Sequence, residues 1–325
     1  MIWLLALGCT GDDVPHTPLM DTGWFTETDA PEAIDCTDKI IETAPEAGAT
    51  DWYWRDPLTA AVSSVNAEAY PASLRSSDGP EVAGALGFDG QVLTFQPNEP
   101  LRPSASYQWV VEDCLGPHVT AFTTSDLGTP LAGGPSAVVH RTYQIELSKA
   151  NWVAPKGFGT ILALYFTTPL LIGVDWADTR IVDLIGAPGG VTTSGAVVQD
   201  TTQATWDFPI ADFGGAPWFQ AATDKLSLNI EGVTLDIHQF TIEATFAADA
   251  SRLGGGVVEG LADTRKLGPL LGSPDDEAAV CKLAATLGAT CEPCPDGEVY
   301  CLEMSARDVS AARLDGVAIR RIDAE

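Results

Sequence analysis

Between Leu226 and Phe246 apolar side chains recur at every second position within three successive runs. The series runs Leu226, Leu228, Ile230, then Val233, Leu235, Ile237, then Phe240, Ile242, Ala244, Phe246. A period of two puts these residues on one face of an extended chain and leaves Ser227, Asn229, Thr234 and Asp236 on the other. An amphipathic helix cannot carry that pattern. Glu231-Gly232 supplies a tight turn between the first two runs. Three consecutive strands predict a meander whose apolar face must be covered. The expectation for residues 137–325 is a second β-sandwich or jelly-roll-like domain in an all-β chain. Thr142–Leu147 and the apolar run Ile161–Phe166 are further candidate strands.

The N-terminal half reads the same way in shorter pieces. Tyr107, Trp109 and Val111 alternate with Gln108 and Glu112, and Leu93 alternates with Phe95. Cys114-Leu115-Gly116-Pro117-His118 supplies turn residues before a strand at Val119–Thr124, which predicts a hairpin. Short strands with Pro and Gly punctuation suggest a sandwich. A buried Tyr107 would need a backbone partner for its hydroxyl. Trp52 and Trp54 share a strand face, with core packing preferred over an exposed platform. Residues 128–136, opened by Gly128-Thr129-Pro130, read as a linker. One helix is predicted, with Ser273 as N-cap, Pro274 in the first turn, Val280, Leu283 and Leu287 at helical spacing, and Gly288 as the stop.

Two resemblances add to this reading. Pro45-Glu46-Ala47-Gly48-Ala49-Thr50, then Leu101-Arg102-Pro103 with Tyr107, then Phe122-Thr123-Thr124, follow one another in an order similar to the SbsA-like bacterial Ig-like domain of S-layer and other surface proteins. It covers residues 44–126, and the domain is placed at 39–127. At the N-terminus, Ile2-Trp3-Leu4-Leu5-Ala6-Leu7-Gly8-Cys9 resembles the lipobox of bacterial lipoproteins. That resemblance implies a short signal peptide at 1–8, lipidation at Cys9 and, with Thr10 next, the outer membrane. The other reading is a buried strand with an incidental cysteine. Residues 10–38 carry eight Asp and Glu without Lys or Arg, together with several Pro and Thr. Such a segment cannot bury enough apolar surface to offset its ordering entropy, so residues 9–38 are expected to form a disordered acidic tether.

Of seven cysteines, six remain once Cys9 is set aside: Cys36, Cys114, Cys281, Cys291, Cys294 and Cys301. An even set in an oxidising compartment reads as disulfides. Their distribution suggests Cys36 with Cys114 and two bridges inside the Cys-rich segment 273–305. Zinc and a redox-active Cys291-Glu292-Pro293-Cys294 are the competing readings.

A net charge of −28 argues against nucleic acid, whose phosphates require Lys and Arg neighbours. No EF-hand-like loop, metalloprotease helix, nucleophile elbow or P-loop occurs. The four histidines, His16, His118, His140 and His238, are scattered, so no catalytic residue, metal ligand or cofactor is assigned. Trp206, Phe208, Phe213, Trp218 and Phe219 crowd a short stretch. Exposed, Trp206, Trp218 and Phe219 would stack on sugar rings or dock a protein; strand-borne, they are core, which is preferred. The expectation is a lipid-anchored cell-envelope surface protein whose Ig-like domain is a spacer or interaction module that presents a C-terminal binding domain. The alternative is an anchored envelope hydrolase with its active site in that domain.

Overall fold

The computed structural model describes residues 36–323 except 146, 156, 158–167 and 231. Cys9, the segment 10–35 and the candidate strand Ile161–Phe166 lie outside the described residues. Thr37–Glu325 forms one compact unit.

Its first part has eight strands: β1 (Ile40–Ala44), β2 (Leu58–Val62), β3 (Ala72–Ser76), β4 (Glu81–Val82), β5 (Gly84–Asp89), β6 (Val92–Pro97), β7 (Ser106–Asp113) and β8 (Gly116–Thr123). They make two four-stranded sheets, β1-β2-β6-β5 and β4-β3-β7-β8. Leu58, Leu74, Leu93, Trp109 and Phe122 fill the space between them. This is the sandwich that the short alternating strands require. Asp113 pairs with Gly116 across a two-residue turn, Cys114-Leu115. The Tyr107 hydroxyl is buried and accepts a hydrogen bond from the Arg102 backbone N–H at 2.9 Å. It thereby pins the turn before its own strand, as in a tyrosine corner.

The second part comprises β9 (Thr142–Ile145), β10 (Asn151–Ala154), β11 (Leu170–Ala177), β12 (Ile181–Val191), β13 (Val197–Gln199), β14 (Trp206–Asp212), β15 (Trp218–Ile230), β16 (Val233–Phe246), β17 (Arg252–Asp263), α1 (Ala279–Thr286), β18 (Glu292–Pro293) and β19 (Val299–Leu314). The chain is all-β, but these strands do not divide into the two sheets of a sandwich or jelly roll. The antiparallel order β9-β11-β12-β14-β15-β16-β17-β19 follows the sequence, and β19 then pairs back to β9, with Ala311 opposite Ile145. A meander that returns to its first strand is a closed barrel, which leaves no sheet edge around its circumference. β10 continues the line of β9 along β19, with Trp152 opposite Ala306.

Apolar residues face inward. Tyr143, Leu184, Phe213, Phe219 and Phe246 are essentially inaccessible. Outward positions on β15 and β16 carry Gln220, Ser227, Asn229, Thr234, Asp236, Thr241 and Glu243. That polarity is the reverse of a lipid-facing barrel, which is apolar outside. No helix among the described residues is long and apolar enough to cross a membrane.

The alternation in β16 changes phase. Leu235 and Ile237 face in at odd positions, whereas Phe240, Ile242, Ala244 and Phe246 do so at even ones. Gln239 has φ of 50°, and the register to β17 shifts between His238 and Thr241. One extra residue in a bulge reverses the inward parity without breaking the strand. The three strands expected over 226–246 are therefore two.

At one end, Cys281 bridges Cys291 and Cys294 bridges Cys301. By loop-closure entropy each short bridge stabilises by about 2–3 kcal/mol. Cys36 and Cys114 are also disulfide-bonded. α1 begins at Ala279, later than the predicted cap at Ser273, because Arg265–Leu271 folds as a 3-10 helix closed by Gly272 at φ 71°. Asp276 then accepts the Ala278 N–H and pairs with Lys282 at 2.7 Å. Ala284 packs α1 onto Leu302 of β19. Gly288, at φ 85°, follows the helix end.

Phe246 packs against Tyr143, Phe213 and Phe219 with ring centroids 5.2–5.9 Å apart. Phe246→Ala is expected to cost roughly 3–5 kcal/mol in urea unfolding. Trp176→Ala, at a side chain 49% exposed, should stay within about 0.5 kcal/mol. A cost below about 1 kcal/mol for Phe246→Ala would contradict the packing described.

Candidate functional site at the seam between sandwich and barrel

The sandwich meets the barrel through the segment Asp126-Leu127 and through a short turn, Trp52-Tyr53-Trp54-Arg55-Asp56, in which the Asp56 N–H bonds the Tyr53 carbonyl at 3.1 Å. Opposite it lies Gly254-Gly255-Gly256. Glycine runs ordinarily mark turns, yet these three belong to β17. Their role is close approach. A Cβ on Gly255, which has φ of 59°, would sit 2.1 Å from the Tyr53 ring, and one on Gly254 would sit 2.7 Å from Leu127. Nothing larger than hydrogen fits while the two parts touch.

Tyr53 reaches across, and its hydroxyl bonds the Thr245 hydroxyl at 2.6 Å. Burial pushes the phenol up to about 12, so it stays protonated. The Arg55 guanidinium lies 4.0 Å from the centre of the Trp218 ring and 5.3 Å from that of Trp54. Such cation–π contacts contribute about 0.5–2 kcal/mol when desolvated. At the rim, Arg252 pairs with Asp126 at 2.7 Å, an exposed contact of small value.

Beside this turn is a partly enclosed polar pocket of about 130 Å³, lined by Gln220, Thr241, Glu243, Val257, Glu259 and Arg307. Burial pushes the Asp56 carboxyl up to about 6, with Asp308 and Glu243 adding to the rise and Arg307 opposing it. Burial also raises Glu243, reinforced by Glu259 and opposed by Arg55 and Arg307. The Asp56 and Glu243 carboxyls bind protons more tightly than free ones, and the pocket's acidic wall can accept hydrogen bonds from a small group. Its volume is well below that of a pocket for a drug-sized ligand.

The aromatics singled out from the sequence divide between the seam, where Trp52, Trp54 and Trp218 lie, and the barrel, where Trp206 and Phe219 lie, and each is packed against neighbours. Trp206 is buried on β14 and donates its indole N–H to the Ser227 carbonyl at 3.1 Å. Trp218 is buried beneath Arg55, and Phe219 is wholly inside the barrel against Phe246. Trp52 packs edge-on to Phe122, and the Trp54 ring occupies the space a side chain on Gly128 would need. His118 pairs with Asp113 at 3.2 Å. His140 precedes β9, and His238 stands opposite Lys225 on the outer barrel wall. No three His, Cys, Asp or Glu side chains among the described residues gather as metal ligands.

Glu243, Glu259, Arg307, Arg55 and Asp56 were not singled out from sequence. They come from distant segments, and the one local signal was a Trp-Tyr-Trp-Arg-Asp run facing no obvious partner.

No protein-family model matches the chain, and no curated protein does either. Among solved structures, the crystal structure of Mycobacterium tuberculosis L,D-transpeptidase 1 aligns with 49% of this chain and 80% of its own, at 12% identity and a TM-score of 0.22. At that score no common fold is established.

Asp56 sets a pH dependence. Its carboxyl binds protons more tightly in the packed seam than in free chain, so its contribution is fully favourable below pH 4. That contribution is lost as pH rises to about 6 and is constant above. Asp56→Asn should remove the penalty, stabilising the protein at pH 7 by about 1–3 kcal/mol after allowance for screening. It should also flatten the pH 4–6 slope in urea unfolding. An unchanged slope would place the titration elsewhere.

Proposed function

We propose that this protein is a lipid-anchored component of the bacterial cell envelope, with the outer membrane favoured by Thr10 after Cys9, that acts by binding rather than by catalysis. The acyl group on Cys9 holds the chain at the membrane and residues 10–35 set its reach, since Cys36 is disulfide-bonded and the Thr37 and Asp38 carbonyls are held by Ser63 and Cys114 of the sandwich. A single acyl chain holds only marginally, so the two or three chains of a lipoprotein are the sufficient anchor. The observation that carries the presenting role is the seam. Tyr53, Arg55 and the three glycines fix the Ig-like sandwich against the barrel, so the two parts serve as one rigid head. The fit of Tyr53 over Gly255 leaves no room for the flexible hinge of a simple spacer. The ligand belongs to the carbohydrate or protein class.

The hydrolase reading has one observation in its favour, the acids Glu243 and Glu259 facing a common pocket. Against it stands the pocket's small volume. A panel of glycosidase, esterase and peptidase substrates should show no turnover that Glu243→Gln abolishes; such turnover would replace the binding reading with the enzymatic one.

The anchor is tested separately. Cys9→Ser should move the expressed protein from the membrane fraction to the soluble fraction and remove a lipid mass from its N-terminal peptide. Retention in the membrane fraction with no lipid mass on the unaltered chain would overturn the anchoring.

A further inference from the structure

β5 is the last strand of its sheet, bonded to β6 on one side and to nothing on the other among the described strands. Its sequence, Gly84-Ala85-Leu86-Gly87-Phe88-Asp89, contains no Lys or Pro and shows no register shift against β6. Edge strands are ordinarily blunted by such devices, because their free N–H and C=O groups template another strand. Here five of the six residues are exposed, with Leu86 at 49%.

A groove of about 470 Å³ runs beside the start of this strand, between it and β4. Val82, Ala83, Gly84, Leu86 and Phe95 line it, with Glu81 among its walls. Gly84 keeps it open, since a Cβ there would lie 2.4 Å from the Phe95 ring. Backbone groups for pairing beside an apolar recess for a side chain are the two elements of strand-addition recognition.

Charge selects the occupant. From Ser76 to Leu101 the chain carries Asp78, Glu81, Asp89 and Glu99, all exposed, and no Lys or Arg; the flanking Arg75 stands opposite Glu81 on β3 and offsets that one acid, which leaves Asp78, Asp89 and Glu99 without a cross-strand cation. The chain's own segment 10–35 carries seven Asp and Glu without a Lys or Arg, so it is repelled. A second copy would set two Asp89 along one seam, between molecules of net charge −28. We propose that β5 and its groove receive an extended segment of a partner protein. That segment pairs as a fifth strand, seats one apolar side chain in the groove, and places Lys or Arg against Asp89 of β5. The inference does not depend on lipidation at Cys9.

The test uses the full chain and a synthetic nonapeptide, Lys-Val-Thr-Val-Lys-Val-Thr-Val-Lys, with hydrogen exchange read by mass spectrometry. Millimolar peptide should slow exchange in residues 84–89 at least threefold. The counterpart with Glu in place of Lys, and the basic peptide with alternate backbone amides N-methylated, should not. Leu86→Lys, at an exposed position, should weaken the effect at least tenfold. No slowing at 84–89, or equal slowing by the acidic peptide, would overturn the proposal. Dimerisation of the unaltered chain at micromolar concentration, lost in Leu86→Lys, would assign the edge to a second copy and overturn it as well.

Discussion

Tyr53 occupies the space that any side chain at Gly255 would take, and the architecture of the head depends on that exclusion. With the ring seated, its hydroxyl reaches Thr245, Arg55 covers Trp218, and Leu127 lies over Gly254. The hydrogen bond contributes about 0.5–1.5 kcal/mol net and the cation–π contact a similar amount. Against them stands the buried carboxyl of Asp56, whose penalty is of the same size above pH 6. Steric fit therefore fixes where the parts meet, and electrostatics tunes how firmly they hold.

The barrel is the rigid partner in this contact. Pairing of β19 with β9 satisfies the backbone groups that an open sheet would expose, and a large aromatic cluster fills the interior. Its outer wall is free to be polar. Acidic and basic side chains can collect there on β16, β17 and β19 without disturbing the core. The sandwich lacks such closure, and its exposed β5 edge is the consequence.

Much of this was legible in sequence where the signal is local. Alternation at 93–95, 107–111 and 226–246 announced strands, Cys114-Leu115-Gly116 announced a hairpin, and Tyr107 announced its backbone contact. The cysteine cluster announced two short bridges. Misreadings arose where a local pattern has two structural causes. The parity change near Gln239 looks like a strand boundary but is a bulge. Three consecutive glycines look like a turn, yet they are a strand kept bare for Tyr53. Closure by β9 and β19 joins segments more than 150 residues apart, and no spacing rule reveals it. The seam acids escaped notice for the same reason, because strand pairing alone brings Glu243 and Glu259 to one wall.

The central claim is that sandwich and barrel form one rigid head. Spin labels at Leu115 and Val191, both exposed on opposite parts, allow the distance between them to be measured by pulsed electron resonance. The account predicts a single narrow distribution at pH 5, broadened when Gly255→Val displaces Tyr53. A broad distribution in the unaltered protein, insensitive to that substitution, would contradict it.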